Sequence, residues 1–348
     1  YLCDGVNDQV EIIQALEALP ETGGEVVILD GTYNIRASIN IPKDNVSIRG
    51  NGNATILKRM YDSTDTDRGL ITLNGKSGCK IQGLQIDGNK AEYRVSYNSG
   101  IYLYSSSNNT ITDNTCYNND DGIYLDSSSS NNTVTGNTCY NNYNYGISLS
   151  SSSNNNTVTS NTCYNNNIGI SLSSSSGNTA TGNTCNNNNY GIYLYSSSNN
   201  TVTGNTCNSS IGIYLDASSN NTVTGNTCNN NYDNGICLYS SNNNTVTGNT
   251  CNNNYDGIYL YSSSNNTVTG NTCYNNNSDG ICLDSSSNDN TITGNTCNNN
   301  YSDGIYLDSS SNNTVTSNPC NNNNCGIRLY SSNNNTITSN TCNNNNKG

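Results

Sequence analysis

The chain has 348 residues, a net charge of −13 and no Trp, Phe or His. Hydrophobic residues make up 31%, too few for a thick globular core, and in an aperiodic chain that level would point to disorder. Ten of the twelve Lys and Arg precede residue 95, so the rest of the chain, with twelve Asp from Asp113 onward, carries about −10 and excludes nucleic acid and anionic membrane as partners.

Residues 4–19 (DGVNDQVEIIQALEAL) place Val10, Ile13, Ala15 and Leu16 on one side of a helix, with Asn7 or Asp8 at its N-cap and Pro20 near its stop. Such a helix suits a cap over the open end of a core. EVVIL (25–29), NVSIR (45–49) and ATIL (54–57) then read as strands of irregular first coils. Residues 58–69 are charged and turn-rich and read as a loop, residues 78–89 return to strand, and 90–97 form a second loop. These loops hold most of the charge diversity, so a specialised surface is expected beside them.

From Gly100 one phrase, close to GIYLYSSSNNTVTGNTCNNNN, recurs eleven times. Its marker is the Cys at 116, 139, 163, 185, 207, 228, 251, 273, 297, 320 and 342, at intervals of 21 to 24 residues. A period in this range means a solenoid. Within each repeat, Ile123 and Leu125 alternate with polar or aromatic neighbours, and Val134 sits between two Thr, which is the period of a strand. Three short strands and no helical stretch fit one coil of a parallel β-helix, with Ile123, Leu125, Val134 and Cys139 inward. The fold expectation is an all-β, right-handed, single-stranded parallel β-helix of about 22 residues per coil. Residues 1–99 supply the cap and irregular coils, and 100–348 supply eleven regular coils of the same domain. Asn137 and its equivalents fall at a bend, where stacked side chains bond each other and the backbone.

The pattern GIxLxxSxxNTVTGNTC resembles the β-helix repeats of the pectate-lyase-like superfamily, above all the NosD-like, Asn- and Ser-rich repeats of archaeal cell-surface proteins. The phrases GGEVVILDGTYNI and NVSIRGNGNATIL are similar to the N-terminal part of such proteins, and IDGN (86–89) is familiar there before a loop. The resemblance implies the fold; it leaves function open among lyases, hydrolases, epimerases, adhesins and structural proteins.

Eleven of the sixteen Cys share one inward position and read as small apolar core residues. Vertical stacking sets their Cβ atoms slightly beyond the preferred disulfide separation, and no CxxC pair suggests structural zinc. Cys237, Cys282 and Cys325 depart from the ladder, the first two replacing an outward Tyr.

Two outward positions on the GIxL strand form a carbohydrate- or partner-binding face of Tyr102, Tyr104, Tyr124, Tyr193, Tyr195, Tyr214, Tyr239, Tyr259, Tyr261, Tyr306 and Tyr330. Stacked Tyr is apolar in body and polar at the tip, which suits sugar rings or a protein; the same residues also serve simply as good strand formers on a solvated sheet. Asp279, Asp284, Asp303 and Asp308 gather acids with little positive charge nearby, an oxygen-rich set suited to calcium; solvated repeats would look the same. No other cofactor is implied. Asp120 and Asp121 suggest the adjacent Asp pair of related polysaccharide hydrolases, but no His and no basic substrate-binding residue is evident beside them, and Arg328 reads as remote from the Asp cluster. Outward Thr pairs such as Thr110/Thr112, Thr201/Thr203 and Thr267/Thr269 resemble the TxT face of ice-binding β-helices. NNT sequons make Asn108, Asn131, Asn155, Asn199 and Asn265 glycosylation candidates, at sparse occupancy because glycans on adjacent coils would collide.

Near-uniform repetition favours a non-catalytic extracellular structural or adhesive protein of the cell surface or matrix, in contact with cell-surface polysaccharide or with copies of itself, including filaments. The alternatives are a polysaccharide lyase or glycoside hydrolase, and an ice-binding protein. The abrupt opening at Tyr1 and the uncapped final coil are read as marks of a segment of a longer chain with no membrane insertion of its own.

Overall fold

The strands of this chain are only two to six residues long, because most stretches of alternating residues end at Asn, Ser or Gly. The result is an all-β parallel β-solenoid of about 23 residues per coil with one short helix, α1 (Gln9–Glu17). The structure, a computed structural model, describes residues 1–64, 67–93 and 97–347. Residues 65–66 and 94–96 of the two expected loops, and Gly348 of the expected uncapped end, lie outside the described residues.

The chain forms two compact units, Tyr1–Thr179 and Ala180–Gly348. The expected change from irregular to regular coils at residue 100 falls inside the first. In that unit the first sheet stacks Gly24–Val27, Val46–Arg49, Lys80–Gln82, Thr110–Thr112, Thr133–Thr135 and Thr157–Thr159. The second stacks Gly31–Ile35, Thr55–Arg59, Gln85–Asp87, Thr115–Tyr117, Thr138–Tyr140 and Thr162–Tyr164. The third runs from Ile39–Asn40 and Gly69–Asn74 through Ser99–Tyr104, Asp121–Asp126 and Tyr145–Leu149 to Ile168–Ser173. In the second unit the same three sheets recur, but between Cys207 and Cys273 the second is reduced to single bridges, Thr206 to Thr227 to Thr250 to Thr272.

Register is residue for residue. Cys116 pairs with Cys139 and Cys139 with Cys163, while Ile111 pairs with Val134. Ile123, Leu125, Val134 and Cys139 are fully buried, as the alternation implies. Burying such a branched side chain is worth roughly 1.5–3 kcal/mol, an upper figure because the unfolded chain already hides some apolar area. Cys116 through Cys320 of the ladder are likewise at 0% exposure, and none of the sixteen Cys is in a disulfide.

Bends carry the rest of the sequence logic. One coil turns at Ser127, Asn131, Gly136 and Asn141, with φ of 51°, 57°, 66° and 54°, the left-handed region that Asn and Gly enter most readily. Gly122 is required for a different reason, since a Cβ there would lie 2.5 Å from the Gly146 carbonyl oxygen of the next coil. The expected Asn137 ladder is present. Its Nδ2 donates to Asn161 Oδ1 (3.0 Å) and Ile111 O (2.9 Å), and its Oδ1 accepts from Asn114 N (3.0 Å). Two further ladders, through Asn109–Asn132–Asn156 and Asn119–Asn142–Asn166, repeat that scheme. Backbone groups such as Asn114 N and Ile111 O are thereby paired at these bends, where each left unpaired would cost roughly 1–3 kcal/mol.

Helix α1 does meet a strand from each of the three sheets, but its buried face is Gln9, Ile12 and Leu16. Val10, expected inward, is 42% exposed. The reason lies in Gln9, whose Oε1 accepts from Arg36 N (3.0 Å) and turns the first turn so that residue 9 rather than 10 faces the strands. Asp8 is the N-cap, yet its carboxylate binds Gly5 N and Asn34 N instead of the helix.

Candidate functional site

The most differentiated surface of the first unit lies at the start of the strand Asp121–Asp126. Lys90 reaches from the segment after Gln85–Asp87, pairs with Asp120 Oδ1, and places its ammonium 3.8 Å from the centre of the Tyr143 ring. Asp120 Oδ2 accepts from Asn98 N at 3.1 Å. Asp121 accepts from Ser99 Oγ at 3.4 Å through one oxygen, while Oδ1 is buried without a partner in the protein. Burial, and then the neighbouring Asp120, push the Asp121 carboxyl up to about 7.

Farther along the strand, Tyr102 OH donates to Asp126 Oδ2 at 3.2 Å, and Arg68 Nη1 lies 3.9 Å from the same oxygen. The Arg68 guanidinium also sits 4.3 Å above the Tyr97 ring and 5.7 Å from that of Tyr102. Beneath it, the fully buried Arg59 donates to Ser63 Oγ (2.6 Å), Ser99 O (2.7 Å) and Arg68 O (3.2 Å), which fixes the Arg68 backbone. The expectation that no basic residue stands beside Asp120 and Asp121 is therefore corrected. Both cations come from the irregular coils, Lys90 30 residues before Asp120 and Arg68 far upstream of Asp126, where no repeat position announces them.

The Tyr face differs from a freely solvated ladder. Tyr102 is buried at 7%, and Cys237 and Cys282, expected as outward replacements, are buried at 4% and 6% because they sit in register between Tyr214, Tyr259 and Tyr306. Tyr104, Tyr195, Tyr239 and Tyr330 are exposed; Tyr124, Tyr193, Tyr214, Tyr259, Tyr261 and Tyr306 are half-buried. Several rings stack on one another, as Tyr193 on Tyr214 (5.3 Å) and Tyr239 on Tyr261 (5.1 Å), so their faces are occupied and their edges and hydroxyls are what a ligand meets. Those hydroxyls are tied to acids, Tyr193 to Asp216 (3.1 Å) and Tyr259 to Asp284 (2.9 Å).

The four acids expected as a calcium set occupy two different rows. Asp279 Oδ1 accepts from Asp303 N (2.8 Å), as Asp256 Oδ1 does from Asp279 N (2.9 Å), so these carboxylates cap the next coil's backbone in a buried ladder. Asp284 and Asp308 lie at the far end of their strands and take the Tyr259 and Tyr306 hydroxyls. Their donor atoms do not form one close group. Arg328, expected to be remote, places Nε 2.7 Å from Asp303 Oδ2 in an ion pair, because the Arg side chain reaches back along its strand to the start of the preceding coil's strand, Asp303–Asp308.

Thr201 and Thr203 register with Thr222 and Thr224, and these with Thr245 and Thr247, in a half-exposed array. Asn108, Asn131, Asn155, Asn199 and Asn265 are all exposed at left-handed corners, with φ of 56° to 59°.

Solved structures similar to this chain are β-helix proteins. The A-module of mannuronan C-5 epimerase AlgE6 from Azotobacter vinelandii matches with TM-score 0.68 and 18% identity over 98% of this chain and 97% of that one. The periplasmic alginate epimerase AlgG matches with TM-score 0.63 and 16% identity, over 97% and 89%. The Dettilon tailspike protein matches with TM-score 0.67 and 16% identity, over 94% and 66%. At these identities the likeness concerns the fold. No curated protein matches the sequence.

The family described as NosD, periplasmic copper-binding protein, matches residues 29–211 and 206–348. Copper selects imidazole or clustered sulfur. This chain has no His, and its ladder thiols from Cys116 to Cys320 are sealed in a close-packed core. Among the described residues, the one group of three or more potential metal donors is Cys3, Asp8 and Glu11, two hard oxygen donors against one thiol. The residues present do not fit copper. The match itself spans most of the sequence, and the chain belongs to the NosD family.

Proposed function

We propose that this chain is a non-catalytic protein of the space outside the cytoplasm, which uses its third sheet to contact carbohydrate. The observation that carries the reading is the convergence of Lys90, Arg68, Asp120, Asp121, Asp126 and Tyr102 on one strand of the first unit. Cations, carboxylates and hydroxyls together suit a polyhydroxylated and partly acidic polymer, whose hydroxyls bind carboxylates and whose own carboxylates bind Arg and Lys. Turnover is disfavoured because the acids are already engaged. Asp120 is held by Lys90 and Asn98 N, and Asp126 by Tyr102, Arg68 and Ser150. Glycoside hydrolysis needs two carboxyl groups able to reach the scissile bond. Lateral association of copies through the exposed edges of Tyr195, Tyr239 and Tyr330 of the second unit belongs to the same proposal.

One observation favours a second reading, proton transfer on a bound uronate chain. Asp121, pushed up to about 7 with one unpartnered oxygen, is the kind of carboxyl that can exchange a proton near neutrality. Incubation with uronate-containing and neutral polysaccharides separates the two. Retention of polymer with no new reducing end, unsaturated product or change in uronate composition supports contact alone; product that disappears in Asp121→Asn supports the second reading.

A further inference from the structure

Before α1 the chain does not wander. Gly5 N donates to Asp8 Oδ1 (2.7 Å) and Asn34 N to Asp8 Oδ2 (2.6 Å), while Asn34 Nδ2 and Arg36 Nε hold Gly5 O and Val6 O (2.8 and 2.9 Å). This pins residues 5–8 to the strand Gly31–Ile35. It also brings Cys3 Sγ, an Asp8 carboxylate oxygen and a Glu11 carboxylate oxygen within 4.8 Å of one another.

Three groups that each become anionic are thus gathered, and among the described residues no Lys or Arg forms an ion pair with any of them. Asp8 is 1% exposed. Glu11 Oε2 is a buried oxygen with no hydrogen-bond partner in the protein, although a buried carboxylate oxygen normally has one. Cys3 and Glu11 also line a cavity of about 550 Å³ between α1 and the strand Gly24–Val27, which gives solvent and small ions a path to the two of them. Burial first, then Asp8 and Glu11, push the Cys3 thiol up, against a smaller opposing effect of the chain's amino group.

We propose that Cys3, Asp8 and Glu11 form a three-donor site for a divalent cation of the zinc class, with water as the fourth ligand. One thiolate and two carboxylates make a mixed set that zinc accepts and copper(I) does not select. The ligands of a tetrahedral zinc stand roughly 3.3–3.8 Å apart, given metal–ligand lengths of about 2.0–2.3 Å, so small side-chain rotations close the set. Binding releases the Cys3 proton to solvent and forms the sulfur–metal bond; no electron is transferred. The cation supplies the partner that Glu11 Oε2 lacks, and ties the segment before α1 to the first turn of the helix.

The test uses the full chain, reduced and stripped of metal by chelator, titrated with Co(II) and then with Zn(II). The expected result is one equivalent of Co(II) with a thiolate-to-cobalt charge-transfer band, displaced stoichiometrically by Zn(II). Cys3→Ser abolishes the band, Glu11→Gln weakens binding at least tenfold, and Cys325→Ser and Cys342→Ser leave both unchanged, with circular dichroism verifying the fold of each variant. No band in the wild type, a band that survives Cys3→Ser, or tight uptake of Cu(I) that excess Zn(II) does not compete with would each overturn the assignment.

Discussion

Arg328 Nε lies 2.7 Å from Asp303 Oδ2, and Asp303 is fully buried while the side chain of Arg328 is 46% exposed. The pair ends a row of carboxyls whose ionised forms are disfavoured. Burial pushes Asp256 up to about 7, and burial with Asp279 pushes Asp303 up to about 6; Asp279 itself is also raised by burial. Acids raised in the folded state hold more protons there than in the unfolded chain, so stability falls as pH rises through the window from about 4 to about 7. The chain has no His to oppose this. Thermal unfolding should therefore show a higher Tm at pH 5 than at pH 7.5, and Asp256→Asn should flatten the difference. A Tm that rises steadily over that range would show the ladder to be ionised at no cost.

The Asn ladders make a sharper energetic prediction. Asn137→Ala removes the side-chain acceptor of Asn114 N, one of the two acceptors of Asn114 Nδ2 and the side-chain donor to Ile111 O in the interior, and should destabilise the protein by about 2–4 kcal/mol. Asn131→Gly, at an exposed corner with φ 57°, should change stability by less than about 0.5 kcal/mol. Denaturant titration of the two variants distinguishes them directly.

Thiol chemistry checks the inward phase. In the native protein an alkylating reagent should label Cys3, Cys325 and Cys342 and spare the ladder from Cys116 to Cys320, as well as Cys237 and Cys282, until denaturant is added. Rapid native labelling of Cys163 or Cys251 would contradict the placement of that row.

Much of this was legible in the residues, for reasons that also set its limits. The inward set Ile123, Leu125, Val134 and Cys139 follows from period-two alternation, and the Asn137 ladder follows from an Asn that holds one place in every coil. The Asn109 and Asn119 ladders carried the same signal, but lay inside Asn-rich runs where one invariant Asn does not stand out. What repetition cannot reveal is a contact made by something that does not repeat. Lys90 and Arg68 come from irregular coils, and their meeting with Asp120 and Asp126 depends on how those segments fold back. Arg328 is hidden for a related reason, since its strand position does not reveal that its long side chain reaches back to the start of the neighbouring strand, where Asp303 sits. Val10 faces solvent because the helix carries more than one apolar stripe, and Gln9 meeting Arg36 N selects the one that is buried.

Lys90 holds its segment against Asp120 and Tyr143. Lys90→Met should leave Asp120 buried without its cation and destabilise the first unit by about 2 kcal/mol, less than a fully buried pair would because Lys90 retains 23% exposure. Asp120→Asn in the same background should restore a substantial part of that difference in a double-mutant cycle.

Carbohydrate contact without turnover is tested most directly by affinity electrophoresis of the intact protein through gels containing uronate polysaccharide, with product analysis of the same polymer. Retardation that falls at least tenfold in apparent affinity for Arg68→Ala, weakens as salt is raised, and leaves the polymer chemically unchanged is the predicted result. Migration identical in the presence and absence of every polymer tried, or a polymer altered by wild type and not by Asp121→Asn, would contradict it.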